Sequence, residues 1–240
     1  MRIAVVSDVH SNLVALDAVL DHAGSVDAVW HLGDIVGYGP DPDGVVARLT
    51  EVGAVGVRGN HDAAAVGGRE IEHFNPEARA AMEWTRGAIS GATRTWLAAL
   101  PSVRQDGDMT LVHGSPRDPI WEYLTTGAIA RGSFEILSTP HGLNGHTHIP
   151  VAFVLDGDRV DAVRVRDGDR LPLGGLRALL NPGSVGQPRD GDPAASYLVL
   201  DPEAGIVVWH RVAYDIEAVQ AAMVRAGLPR RLADRLSHGA

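Results

Sequence analysis

Five short segments carry side chains of one chemical kind: Asp8-Val9-His10, Gly33-Asp34, Gly59-Asn60-His61-Asp62, His113-Gly114 and Gly145-His146-Thr147-His148. Mixed carboxylates and imidazoles suit borderline divalent cations such as Mn, Fe, Ni, Co or Zn better than Mg or Ca alone. On extended chain, residues two apart point to the same side, so Asp8 with His10, and His146 with His148, are each expected to converge on one point. Two cations would need about seven or eight such ligands. Taken singly, the segments say less. An Asp-x-His before a helix also reads as a turn plus cap, Gly-Asp is nearly uninformative, and His113 alone reads as a packing histidine. Gly-Asn-His-Asp suits a turn, because Gly and Asn tolerate left-handed backbone. Gly-His-Thr-His says more, because a turn has no need of two imidazoles. Together, in this order and each after an apolar run, they read as one site.

The elements that must position these residues alternate along the chain. Ile3 to Val6 is a β-branched run suited to a buried strand. After Ser11 or Asn12, either a good N-cap, the residues Leu13, Leu16, Val19 and Leu20 recur at helical spacing, and the helix ends near Gly24. Ala28 to Leu32 reads as a second strand, residues 43 to 51 as a second helix, and Val55 to Val57 as a third strand. Such β-α-β-α-β order favours a parallel sheet flanked by helices, with Asp8, Asp34 and Asn60 just beyond the strands, where open α/β sheets build their sites. A helical stretch over residues 75 to 99, broken by Gly87 and Gly91, stops at Pro101.

Strands are expected at Asp108–His113, Gly142–Gly145, Val151–Leu155, Arg159–Val165, Arg177–Leu180, Ser196–Leu200 and Ile206–Val212, and a last helix runs from an Asp215 cap to Arg225. Many strands with few helices between them point to two sheets packed together, helices outside. No repeat or linker divides the chain, which reads as one domain over residues 1 to 240.

Thirty acidic residues against 21 basic ones give a net charge of −9, an unfavourable field for tight nonspecific nucleic-acid binding or for an anionic membrane. The absence of cysteine removes disulfides, thiolate zinc sites, iron-sulfur ligation and a cysteine nucleophile. The amino-terminal apolar run is too short for a signal-peptide core, so a cytoplasmic location is the expectation.

The ordered set Asp-x-His, Gly-Asp, Gly-Asn-His, His and Gly-His-x-His, from Asp8 to His148, resembles the calcineurin-like metallophosphoesterase superfamily. The runs Gly33 to Pro40, His113 to Arg117 and Asn181 to Arg189 look like its small bacterial and archaeal phosphodiesterase branch. The resemblance implies an α/β four-layer αββα sandwich, two mixed sheets flanked by helices, with a dinuclear centre at one edge. Carried over by position, Asp8, His10 and His148 would hold one cation, Asn60, His113 and His146 the other, and Asp34 would bridge them. A hydroxide shared by both cations would attack phosphorus in line, and His61 would protonate the departing alkoxide.

One departure bears on substrate. The superfamily's protein serine/threonine phosphatases continue as Gly-Asp-x-x-Asp-Arg-Gly, with an Asp that supports the catalytic His and an Arg that grips phosphate. Here those places hold Gly37 and Tyr38, which disfavours a protein phosphatase or a symmetrical diadenosine tetraphosphatase. His61 is then oriented by Asp62 or by a backbone carbonyl. Arg117 and Arg189 are candidates to grip substrate phosphate, or else solvated loop arginines. Trp121, Glu122 and Tyr123 lie in the connection from 114 to 141, which reads as a lid, a dimer surface or core packing. Asn181 and Ser184 serve a turn, and His31 is a packed histidine or a donor behind Asp34.

The expectation is therefore a metal-dependent phosphodiesterase acting on a small phosphoester, with Mn as the in vitro activator and a homo-oligomer as an option. A phosphomonoesterase or nucleotidase, a protein phosphatase with a specific substrate, and a non-catalytic scaffold on the same fold are the alternatives.

Overall fold

Along β1 (Ile3–Val6), Ile3 and Val5 turn to one side, Ala4 and Val6 to the other, and both sides are buried. That is why the run is apolar throughout rather than alternating. The structure is a computed structural model and describes residues 1–240, apart from the side chains of Arg69 and Glu70. β1 lies parallel to β2 (Ala28–His31), which lies parallel to β3 (Val55–Gly56). On its other side it pairs antiparallel with β11 (Ala195–Asp201), followed by β12 (Ile206–Val212) and β9 (Arg170–Pro172). The second sheet runs β4 (Val103–Asp106), β5 (Met109–Val112), β6 (His141–Leu143), β10 (Arg177–Asn181), β7 (Val151–Asp156), β8 (Arg159–Arg164), with β5, β6 and β10 mutually parallel.

Ile3, Val5 and Trp30 of the first sheet meet Leu111, Leu143 and Leu180 of the second in the core between the sheets. Ala4, Val6, Val29 and Tyr197 instead face α1 (Leu13–Ala23), α2 (Pro42–Glu51) and α5 (Gly91–Ala99) through Leu16, Val19, Leu49 and Leu97. The outer face of the second sheet, at Phe153 and Leu179, is covered by Phe134 of α6 (Gly127–Ile136). Four layers result, helix on sheet on sheet on helix, as the resemblance implied.

Local signals explain most boundaries. The Asn12 side chain accepts from Ala15 N (3.1 Å) and starts α1, Asp215 caps α7 (Ile216–Arg225) in the same way, and Ser90 caps α5. The break in the 75–99 stretch falls at Ile89 and Ser90, so Gly87 sits inside α4 (Pro76–Ala88) and Gly91 opens α5. Asn60 lies not in a free turn but at the start of the short helix α3 (Asn60–Ala65). Neither β4 nor β9 has a sequence signal of its own, since both are edge strands with exposed polar positions. The 114–141 connection contains α6, and the chain continues past α7 into α8 (Arg230–Asp234). Those last helices pack with Tyr38 and α4 into a separate apolar cluster of Ala78, Ala81, Val219, Met223, Leu232 and Leu236. Among the described residues no helix is long and apolar enough to cross a membrane.

Candidate functional site

The carboxyl ends of β1, β2, β3, β5 and β6 open onto one edge, and the turns leaving them carry the polar segments. The backbone there is not extended. Asp8 (φ 53°), His10 (48°), Asp34 (51°), His146 (66°) and His148 (61°) are all left-handed, with Ser11 (55°) and Tyr38 (58°) beside them. Side-chain direction therefore follows tight turns rather than strand alternation, and non-glycine residues in that region are held there at a cost of about 1 kcal/mol or more each. Two glycines make room: a Cβ on Gly59 would lie 2.1 Å from Asp34 Oδ1, and one on Gly145 2.8 Å from Asp8 Oδ2.

The turns divide the histidine pair that the spacing placed together. His148 Nε2 lies 3.1 Å from His10 Nε2 and 3.2 Å from Asp8 Oδ1, while Asp34 Oδ2 stands 3.8 Å from His10 Nε2. His146 Nδ1 instead lies 3.0 Å from His113 Nε2, which is 3.1 Å from Asn60 Oδ1 and 3.4 Å from Asp34 Oδ2. Asp34 is common to both groups, so Asp8 and His10 do converge, whereas His146 and His148 serve different neighbours.

These are acceptors facing acceptors. The Nδ1 atoms of His113, His148 and His10 lie 2.8, 2.6 and 3.3 Å from the carbonyls of Leu32, Gln187 and Val36. A carbonyl only accepts, so Nδ1 carries the hydrogen and each Nε2 presents a lone pair to the cluster. Asp8 Oδ1 is buried without a hydrogen-bond partner, although Ser7 Oγ (2.7 Å) and His146 N (3.1 Å) both donate to Oδ2. Buried lone pairs crowded within hydrogen-bond distance, with no donor among them, require protons or cations in the gaps.

The electrostatics agree. Burial holds His10 and His148 below the ordinary imidazole range and pushes His146 down to about 3, so all three are neutral and free to ligate. Burial opposes charge on Asp8 and Asp34, but the positive charge the cluster collects, which without a cation is a proton on His113, holds both carboxyls below their usual range. Burial also works against a charged His113, yet Asp34 and Asp8 outweigh it and raise that imidazole to about 9. The cluster thus draws positive charge, and divalent cations fit its donor chemistry and its orphaned oxygen.

His61 stands beside the cluster, its backbone N donating to Asp34 Oδ1 (2.8 Å). Burial, helped by Arg189 and nearby imidazoles, pushes its ring down to about 4. Asp62 does not orient it: its carboxylate accepts from Ile35 N (2.8 Å), Val36 N (3.2 Å) and Gly59 N (2.9 Å), clamping the Asp34 turn onto α3. Nor does a carbonyl, for His61 Nδ1 is buried and has no partner among the described residues.

The two arginines part company. Arg189 lies over the Tyr38 ring (5.9 Å), is steadied by Gln187 Oε1 (2.8 Å), and stands close enough to His61 and His148 to affect both. Arg117 pairs with Glu122 (3.4 Å) and lies against Gly132 of α6 rather than joining the cluster. His31 is a packed histidine, against Trp96 at 5.5 Å.

Several contributors were not legible as such. Tyr123 stacks on His146 at 3.9 Å and 14°, so the 114–141 connection does reach the site. Ser184 Oγ donates to the Asp8 carbonyl (2.8 Å), and Asn181 Nδ2 donates to the Gly145 carbonyl (2.8 Å), so both hold ligand-bearing turns and not merely their own. The Trp121-Glu122-Tyr123 run and the Asn181 to Arg189 loop were the available signals. Phe74, against His61 at 4.5 Å, had none.

Residues 1–205 match the family model of the calcineurin-like phosphoesterase superfamily domain, and the chain belongs to that metal-dependent superfamily. It is 46% identical to a metallophosphoesterase from Sphaerobacter thermophilus of known structure, with a TM-score of 0.92 and 100% of both chains covered. An uncharacterised protein of Methanocaldococcus jannaschii is 34% identical to it, covering 99% of this chain and 98% of the relative. A hypothetical protein from Pyrococcus horikoshii OT3 shares the fold at a TM-score of 0.81 and 20% identity, over 100% of this chain and 98% of that one.

Proposed function

We propose that the chain is a phosphodiesterase acting on small phosphoesters through two divalent cations. Asp8, His10 and His148 would hold one, Asn60, His113 and His146 the other, and Asp34 would contact both. The observation that carries this reading is the pair of all-acceptor clusters sharing Asp34. Held there, two cations would activate a water for in-line attack and neutralise charge on the phosphoryl oxygens.

The chain's own residues do the rest. A water oxygen, having given up one proton to solvent, bonds to phosphorus while the ester P–O bond breaks, its electron pair staying on the departing oxygen. That oxygen takes a proton from Nε2 of protonated His61, and solvent restores it. His61 is neutral in the free chain, and the negative charge of a bound phosphoryl group raises its affinity for that proton. Arg189, beside His61 and without a carboxylate partner within 4 Å among the described residues, would receive a phosphoryl oxygen. Arg117, paired with Glu122, is not carried forward in that role. We take residues 1–240 as one catalytic unit, supported by the packing of the last helices on Tyr38.

The test is cleavage of an aryl phosphodiester and the matching monoester after chelation and again after adding manganese. Metal-restored turnover that favours the diester is expected. A preference for the monoester would move the assignment to a phosphomonoesterase, and no restored turnover with any of Mn, Fe, Ni, Co or Zn would remove the enzymatic reading.

A further inference from the structure

Among the described residues, His61 has no hydrogen-bonding anchor for its ring. Where the superfamily's protein phosphatases place a supporting Asp, this chain has Gly37, at φ 95°. A Cβ there would lie 2.4 Å from His61 Nδ1 and 3.1 Å from Cγ, so the ring occupies the space a side chain would need. Asp62, the nearest carboxylate in sequence, is committed to three backbone amides. Yet a proton donor must be aimed, since a misplacement of about 1 Å costs on the order of 10²-fold in rate.

Aromatic rings close around it instead. Tyr38 lies 4.5 Å from the His61 centroid at 46°, Phe74 4.5 Å at 31°, and His10 4.8 Å at 77°. His10 belongs to the metal cluster, Tyr38 also carries Arg189 over its ring (5.9 Å), and Phe74 has no other role at the site. Each has its own backing. Tyr38 is only 8% exposed and packs with α4, α7 and α8, while Phe74 meets Trp121 edge-on at 6.3 Å. The C-terminal helices, beyond the 1–205 family match, thereby reach the site through Tyr38.

We propose that Tyr38 and Phe74 are positioning residues, an aromatic clamp that aims His61 Nε2 at the leaving oxygen in place of a carboxylate anchor. The inference rests on His61 as the proton donor of the proposed reaction. Its signature is dependence on the leaving group. An aryl oxide departs with little protonation, an alkoxide does not, so a misaimed donor penalises alkyl esters selectively.

The experiment compares kcat and KM for an aryl and an alkyl phosphoester, with manganese, in the full-length chain and in Phe74→Ala, Phe74→Tyr, Tyr38→Phe and His61→Ala. Metal content and melting curve are measured for each. For Phe74→Ala the expected result is a fall in alkyl-ester kcat of about 10- to 100-fold and in aryl-ester kcat of less than about 3-fold, with KM and metal content unchanged. Phe74→Tyr and Tyr38→Phe, which keep the ring, should stay near wild type. If Phe74→Ala unfolds, Phe74→Leu fills the space without the ring and carries the same comparison. Equal losses on both esters, or a further alkyl-selective loss when Phe74→Ala is added to His61→Ala, would overturn the clamp. A His61→Ala chain with no alkyl-selective loss would overturn the proton-donor reading itself and the clamp with it, which separates the two failures.

Discussion

Asp34 is the side chain that both halves of the donor cluster share, so its effects should not be local to either. Asp34→Ala is expected to lower bound metal from the two ions per chain that the proposed function requires to below about one, and turnover by at least about 10²-fold. Elemental analysis of the purified variant beside the activity assay checks both; wild-type metal content would contradict the shared role. His31 gives a second residue-scale test, free of the metal site. It is fully buried, and burial pushes it from 6.5 to about 4 against the opposing effect of the Val57 backbone beside it. Because the unfolded chain binds the proton more readily, stability is full above pH 6.5 and is lost as the pH falls toward 4, by about 3 kcal/mol. In metal-free protein, His31→Leu should remove that part of the acid sensitivity. Urea midpoints at pH 7 and pH 5, wild type against variant, give the answer, and identical pH slopes would refute it.

At the scale of elements, the site is built from turns but held by what lies under them. Asp62 at the start of α3 ties down the Asp34 turn, while Asn181 and Ser184 after β10 tie down the Gly145 and Asp8 backbones. The last helices act at longer range. Met223 of α7 is 1% exposed in the cluster that contains Tyr38. Met223→Ala should cost about 2–5 kcal/mol through the cavity it leaves, and loosening Tyr38 should lower alkyl-ester turnover while bound metal stays constant. Denaturant unfolding measures the first effect and metal analysis with kinetics the second; a stability change below about 0.5 kcal/mol would mean that the cluster is not close-packed.

For the whole molecule, the donors come from both sheets: Asp8, His10, Asp34 and Asn60 follow strands of the first, His113, His146 and His148 strands of the second. A cation bound among them links the two layers and exists only in the folded chain. At a free concentration about 100-fold above its dissociation constant, one ion adds about 2.7 kcal/mol, a rise in Tm of about 5–10 °C for a chain of this size. Chelation should reverse it. A Tm indifferent to manganese and to chelator would argue against any cation site spanning the layers.

How much of this was readable beforehand differs by kind of information. Asp8, Asp34, Asn60, His113, His146 and His148 each follow an apolar strand, and local periodicity reports strands well, so the candidate segments, their order and two packed sheets could be read from the chain, while the ligand set and the four-layer sandwich were what the family resemblance implied. Periodicity does not report left-handed turns. Spacing alone placed His146 and His148 together; the family resemblance divided them between two cations, and the left-handed backbone at 66° and 61° is how the chain turns them apart. Long-range packing is equally silent in a linear pattern: Phe74 reaches His61, and the C-terminal helices reach Tyr38, because the fold brings them there, while Arg117 pairs with Glu122. The chain's order determined which donors are present; the convergence of distant segments decided which neighbour each one serves.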